Sequence, residues 1–339
     1  MAELGWDARY TLPNLLKLVR NGKYEPMAEG LTEDNTLMQD MQIYPGNGIL
    51  NHEGSRRTSL PTAQIIEVGA GWDSSVSQWA NFNDTISIFK DRFDVAKTVY
   101  DRQPNKAQWR ADEEDAHVMG FGQSVINHVI YGTSVASAKK FDGLAVRYNT
   151  PDSGDPLNPS STGDPFVFDG GGGTGSDTTS IWLIQHGFKA FHGITPINDT
   201  DMGLKRRDAG IVYVTDAVTS KEREDLRVEL EQNLGISVET ARSVARIRNV
   251  PTTLASIATW QTVISKILQA RQEVFRGSNP VWMYMNPRSI YLLGESAREK
   301  QNIVFDKNNP WDIMMNRFGD MPIRKMDALL NTETGVAAA

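Results

Sequence analysis

The chain reads as a mixed α+β protein with long extensions, and three observations predict this class. Apolar residues recur at helical spacing in separate stretches, most clearly over Val263, Ile264, Ile267 and Leu268. Between them, β-branched and polar residues alternate, as in Thr58, Leu60 and Thr62 and again from Thr85 to Phe89. A Gly-rich reversal at Gly69-Ala70-Gly71 joins two such strands into a ribbon with no local partner. With 339 residues, 40% of them hydrophobic, the chain can bury one large or two modest cores.

Leu12, Leu15, Leu16 and Val19 predict a short amphipathic helix over Thr11 to Arg20, with Pro13 in its first turn and Asn21-Gly22 as its stop. Leu31 to Met41 predicts another, capped by Thr32 and showing Leu37, Met38 and Met41 on one face. Two such helices bury too little surface to form a domain, so this segment is expected to pack on something else. Arg56 to Phe93 predicts a long hairpin. An isolated two-stranded ribbon is marginal in water, so its length implies a partner surface.

Asn105 to Tyr131 predicts the longest helix, with Trp109, Ala116, Met119, Ile126 and Ile130 on one stripe. Gly120 and Gly122 each cost it about 1 kcal/mol relative to Ala, so tertiary packing must hold it. Pro151 to Ser180, rich in Gly, Pro, Ser and Asp, reads as an irregular loop, and Ile181 to Gln185 as a strand. Thr219 to Leu234 is ambiguous: Thr219-Ser220-Lys221-Glu222 fits a capping box, while Leu226, Val228 and Leu230 alternate with period two. The neighbouring Ile211-Val212-Tyr213-Val214 favours strands, continued by Ile236, Val238, Val244, Ile247 and Val250. Thr262 to Arg276 predicts a helix stopped by Gly277. Trp282 to Met285 predicts a buried strand, Arg288 to Gln301 a helix, and Met321 to Leu330 a closing strand.

Composition narrows the function. The absence of cysteine removes disulfides, thiolate metal sites and cysteine nucleophiles. A net charge of -7 argues against a protein built to grip nucleic acid, because phosphate affinity comes from Lys and Arg contacts. No run of about 18 apolar residues suggests a membrane span, and the N-terminus lacks the layout of a signal peptide.

The motifs that could carry chemistry each have a plainer reading. Gly170 to Ser176 resembles a phosphate cradle, but no Lys follows and the next element is a strand. Asp112-Glu113-Glu114-Asp115 cannot converge on one ion, since four consecutive helical residues point in four directions. This run is expected to be a solvated or subunit-facing surface, with Arg242, Arg246 or Arg248 as ion-pair partners on a neighbouring subunit. His52, His117, His128, His186 and His192 show no metal-ligand spacing. Asn198 to Gly203 lacks the distal Glu of a calcium loop and reads as a turn. No serine sits in a nucleophile elbow. Basic pairs at Arg56-Arg57, Lys205-Arg206-Arg207 and Arg324-Lys325 read as surface. No catalytic residue, metal or cofactor is expected, hence no enzyme.

Several blocks carry a family resemblance. The tail from Phe318 through Met321-Pro322-Ile323-Arg324-Lys325 to Glu333 closely resembles the closing segment of a group of tailed-phage major capsid proteins. Trp282-Met283-Tyr284-Met285-Asn286-Pro287-Arg288, Gly175 to Ile184, Phe141 to Tyr148 and Glu53 to Thr62 are similar to other parts of that group, in order. The resemblance implies an HK97-like capsid fold. Its parts would be an N-terminal arm at 1-54, an extended loop hairpin at 55-93 and a peripheral domain with spine helix at 94-149. Next would come a first part of the axial domain at 150-205, peripheral β-ribbons at 206-250, a second axial part at 251-317, and a closing peripheral strand and tail at 318-339.

The function so implied is self-assembly as pentamers and hexamers into an icosahedral virion shell around double-stranded DNA, assembled in the host cytoplasm. Implied partners are further copies of the chain, a portal protein, a decoration or cement protein, and DNA touched nonspecifically, with no membrane. The chain begins almost at its first helix and with Met1, so a separate scaffolding protein is expected. Contact residues are expected at Arg56 and Arg57, at Trp72 and Trp79, which either anchor a neighbour or pack locally, at Asp112 and Glu113, and at Arg246 and Arg248. Some members of this fold weld subunits through a Lys in the extended loop. Residues 56–89 hold no Lys, so no covalent weld is expected. Two rivals differ in class: an encapsulin-type compartment of the same fold, and a soluble α+β enzyme.

Overall fold

The computed structural model describes residues 19–20, 23–24, 35–135, 137, 139–151, 164–199, 203–215, 221–253, 257–273, 279–298 and 317–337. In chain order the elements are β1 (Val19–Arg20), β2 (Lys23–Tyr24), α1 (Leu37–Asp40), β3 (Ile43–Pro45), β4 (Asn51–Ser59), β5 (Gln78–Ala96), α2 (Lys97–Tyr100), α3 (Lys106–Tyr131) and α4 (Leu144–Arg147). There follow β6 (Val167–Asp169), β7 (Thr178–Gln185), β8 (Phe191–Thr195), β9 (Lys205–Thr215), β10 (Glu222–Val238), β11 (Val244–Pro251), α5 (Ile257–Glu273), β12 (Val281–Met285), α6 (Pro287–Arg298), β13 (Arg317–Phe318) and β14 (Met321–Lys325). The chain divides into two compact units, and it passes from one to the other within β5, α3 and β10.

The first unit comprises Met1–Thr32, Ile88–Val125 and Gly203–Asn233. Here β9 and β10 form an antiparallel ribbon from Glu222↔Thr215 to Glu231↔Lys205. The register shifts where Arg227 pairs with Gly210 and Val228 with Asp208. Gly210 takes φ +68°, and its N–H donates to Asp208 Oδ1 at 2.9 Å; a left-handed residue in a bulge favours glycine. Phe93, Val95, Trp109 and Val228 form a small core with Val99 and Tyr100 against it. Around it lie ion pairs: Arg227 is bidentate to Asp94 at 2.8 and 3.0 Å, Lys97 meets Glu224 at 2.7 Å, and Arg206 meets Glu114. Strong alternation of charge along β10 therefore serves the unit itself.

The second unit comprises Glu33–Ser87, Ile126–Met202 and Leu234–Ala339. Its main sheet has the order β13-β14-β12-β7-β11-β6. Period-two alternation sorts its side chains. Ile181, Leu183, Ala245, Ile247, Met283 and Met285 point to one face, where they join Trp260, Val263 and Ile267 of α5 and Leu292 and Leu293 of α6 in the largest core. On the other face Arg246 lies over Trp182 at 4.9 Å and Arg324 over Trp282 at 4.1 Å. All eight residues of β7 and of β11 are buried. Burial on both faces is why these segments read as continuous β-rich runs. Elsewhere in this unit β8 lies between β3, parallel to it, and Gly235–Val238 of β10, antiparallel to it, while β4 and the start of β5 form the hairpin.

Several sequence expectations need correction. Val19 and Arg20 are strand, paired with Tyr24 and Lys23, so the helix expected through Arg20 does not reach its end; its earlier residues lie outside those described. An Asn-Gly pair is a hairpin signal as much as a helix stop; residues 21–22 themselves lie outside those described. The second helix is only Leu37–Asp40, with Thr36 at its N-cap; Thr32 lies outside the described residues. In α3, Ala116 and Met119 are exposed, whereas Phe121, Val125 and Val129 are buried with Ile126 and Ile130. The stripe is divided between the units: Trp109 packs with Phe93 and Val228 in the first, whereas Ile126, Val129 and Ile130 belong to the second. Helix α5 starts at Ile257, which lets Trp260 lead its buried face, and Leu268 is exposed; Val274 to Gly277 lie outside the described residues. The expected irregular loop contains β6 and the first residues of β7, with 152–163 outside the described residues, as are 200–202 of the expected turn and Thr219-Ser220 of the capping box. The closing strand stops at Lys325. The main sheet also joins segments that the sequence reading kept apart: it places 244–250 and 321–325, assigned to the peripheral domain, beside 178–185 and 281–285, assigned to the axial domain.

Candidate assembly surfaces

In the extended hairpin β4 and β5 pair antiparallel from Asn51↔Thr85 to Ser59↔Gln78, so the ladder starts before Arg56. The chain reverses where expected: Gly69 has φ +89° and the Ala70 N–H donates to Glu67 O at 3.1 Å. Between 60 and 77 no strand ladder forms. Every residue from Ser55 to Val76 is exposed, including Leu60, Ile65, Val68, Trp72 (73%) and Val76. These apolar side chains stand along a ribbon that has no ladder between its two strands in this stretch.

Near the hairpin root the contacts are local. Phe82 lies opposite Gly54, and a Cβ on Gly54 would come within 2.3 Å of the Phe82 ring. Arg56 lies over Phe82 at 5.2 Å and Arg57 over Trp79 at 4.7 Å. Trp79 thus packs on its own ribbon while remaining 61% exposed, and Trp72 at the distal end stays open. Gly54→Val must push the Phe82 ring off its neighbour strand, and a melting experiment on the subunit should register a loss of about 1–3 kcal/mol.

Arg246 and Arg248 are not surface contacts. Arg246 is 2% exposed; its guanidinium donates to Glu333 Oε2 at 2.9 Å, to Ser180 Oγ at 2.9 Å and to the Tyr148 carbonyl at 2.8 Å. Glu333 also accepts from Ser180 Oγ at 2.5 Å and Tyr131 OH at 2.6 Å. Burial, then the Glu333 carboxylate, pushes the Tyr131 phenol far up, so it stays a donor. Arg248 donates to the carbonyls of Asn149 and Thr334 at 2.5 and 3.0 Å. Both arginines alternate with Ala245 and Ile247, so β11 turns them to the face opposite the helices, where they hold the tail. The Gly-rich run joins the same seam, the Gly335 N–H donating to Gly175 O at 2.7 Å.

On α3, Glu114 is held by Arg206, which together with Arg110 keeps its carboxyl below the usual range. The Gln108 side chain donates to Asp112 Oδ1 at 2.7 Å, and Asp112 and Glu113 are half-exposed. The acidic run is therefore partly used within its own unit, as are basic residues read as plain surface.

The histidines are more engaged than their spacing suggested. His117 meets Asp91 at 2.7 Å, and His128 sits edge-on to Phe141 at 4.6 Å. His186 bonds the Tyr284 hydroxyl at 2.8 Å, and burial pushes its imidazole down to about 4. His52, His192 and Glu239 come together, each offering one ligand atom within 4.8 Å of the others. No motif could have found this cluster, because only the β8–β10 pairing and the hairpin root unite positions so far apart.

No curated protein matches the chain by sequence. A chain from the near-atomic cryo-EM structure of bacteriophage Epsilon15 is 22% identical, with a TM-score of 0.76 over 100% of both chains. A chain of the bacteriophage JBD30 capsid is 11% identical, with a TM-score of 0.51 over 94% of this chain and 99% of that one. These likenesses show an HK97-like α+β fold. The family described as major capsid protein GP7 matches residues 20–337. The chain therefore belongs to the major capsid protein GP7 family of tailed phages, and its role is that of a structural subunit in a virion's capsid shell.

Proposed function

We propose that copies of this chain form the pentamers and hexamers of an icosahedral shell around double-stranded DNA, built in the host cytoplasm with scaffolding and portal proteins. The observation that carries this reading is the exposed run from Ser55 to Val76, whose apolar side chains find no cover among the described residues. Laid on a neighbour, each ribbon adds a modest contact, and closure multiplies it over every subunit. Trp72 and Arg56 are the contact residues favoured there, with Asp112 and Glu113 on α3 forming a second surface. Basic groups facing the lumen touch DNA without sequence preference. Electron micrographs of the expressed chain should show closed shells or tubes; a uniform population of monomers would contradict the reading.

The same reading makes the shell non-covalent. Residues 56–89 contain no Lys, and Lys90 is paired with Glu231 at 2.9 Å. Contacts between subunits, with a decoration or cement protein added, carry the load. Particles boiled in denaturant should run as one band near 37.7 kDa; a ladder of multimers would show that a weld forms after all.

A further inference from the structure

We propose that His52, His192 and Glu239 bind a divalent cation of the zinc class at the root of the extended hairpin. Each residue is placed by backbone pairing. His192 is the second residue of β8 and lies opposite Ser237 of β10, and Glu239 follows β10 directly, its N–H donating to Ala190 O at 3.3 Å. His52 is the second residue of β4, and its Nε2 stands 3.8 Å from Glu239 Oε1. The two imidazole centroids are 6.2 Å apart and cross at 79°.

The surroundings favour a metal over a simple ion pair. Phe188 stacks on His192 at 6.0 Å, Tyr44 meets it edge-on at 5.4 Å, and Phe82 stands 6.2 Å from His52. His192 is 1% exposed. Nδ1 of His52 and Nδ1 of His192 are both buried without a hydrogen-bond partner. A buried imidazole nitrogen left unpaired is costly, and a ring not spent on hydrogen bonds is free to ligate.

Two imidazoles and one carboxylate are a donor set for zinc, cobalt or nickel; calcium and magnesium prefer oxygen throughout. Donors about 2.0–2.1 Å from a tetrahedral zinc stand about 3.3 Å apart, so the partly exposed Glu239 carboxylate must swing in by about 0.5–1.5 Å. Once bound, the ion ties β4, and with it the projecting ribbon, to the corner between β8 and β10.

The test uses assembled shells of the full chain, stripped with a chelator and titrated with Co²⁺. The proposal expects one Co²⁺ per subunit, with the visible absorption of a low-coordinate histidine site, displaced by Zn²⁺ and not by excess Mg²⁺. Glu239→Gln and His52→Ala should each weaken Zn²⁺ binding by more than about 100-fold, while His117→Ala leaves it unchanged. Glu239→Gln keeps the shape of the side chain, so a loss there is a loss of a ligand. Wild-type shells that take up no Co²⁺, or variants that bind Zn²⁺ as tightly as wild type, would overturn the proposal.

Discussion

Glu333→Ala lowers the stability of the subunit by about 3–5 kcal/mol, the largest effect expected of a single substitution here. The cause is not the lost attraction itself. Arg246 is 2% exposed and Glu333 lies at the end of the chain, docked against β7 through the Thr178 O and Oγ1 contacts. Removing the carboxylate strands a guanidinium inside the unit, where an unpaired charge costs several kcal/mol. Tyr131 and Ser180 lose their acceptor at the same time. Pairing the change with Arg246→Met should restore much of the loss, because deleting both charges removes the stranded one. Denaturant melts of dissociated subunits read both outcomes. A Glu333→Ala loss below 1 kcal/mol would show that the tail does not lock the sheet.

The second large effect leaves the folded subunit alone and abolishes assembly. Ile65, Val68 and Trp72 are exposed, so Ile65→Ser, Val68→Ser and Trp72→Ser together should shift the subunit's melt by no more than about 0.5 kcal/mol. Burying each such side chain on a neighbour is worth at least about 1.5 kcal/mol, so losing three costs about 4–5 kcal/mol per subunit. That corresponds to an increase of about 1,000-fold in the concentration needed for shells to form. Sedimentation of the triple variant should find subunits or capsomers where wild type gives particles. Normal shells at wild-type concentration would show that this ribbon is not a contact.

The two effects separate what a sequence can and cannot reveal here. The hairpin was legible because turn chemistry at Gly69-Ala70-Gly71 and alternation around Thr85 to Phe89 are local signals. Its extent was not: the ladder reaches back to Asn51, and no local rule marks where pairing ends. Strand β10 could be chosen over a helix from period two at Leu226, Val228 and Leu230, and α3 from its length. The exposed Ala116 and Met119 show what fails when one helix serves two packing environments. Arg246 and Arg248 looked like surface because arginine is rarely buried. Only the sheet, which pairs β11 with β7 and sets Glu333 against Thr178, brings a carboxylate to the first and backbone carbonyls to the second. His52, His192 and Glu239 were invisible for the same reason: their meeting is a property of strand order.

The chain contains no cysteine, which permits a direct test of whether the ribbon is completed by another copy. Val68→Cys carries a short photoreactive label at the hairpin tip, in shells assembled from an equal mixture of light and heavy isotope chains. After illumination, mass spectrometry identifies which chains are joined. Cross-links between light and heavy chains, landing on a folded part of the neighbour, are the predicted result. Cross-links confined to peptides of one isotope composition would mean that the ribbon rests on its own subunit, contradicting the account.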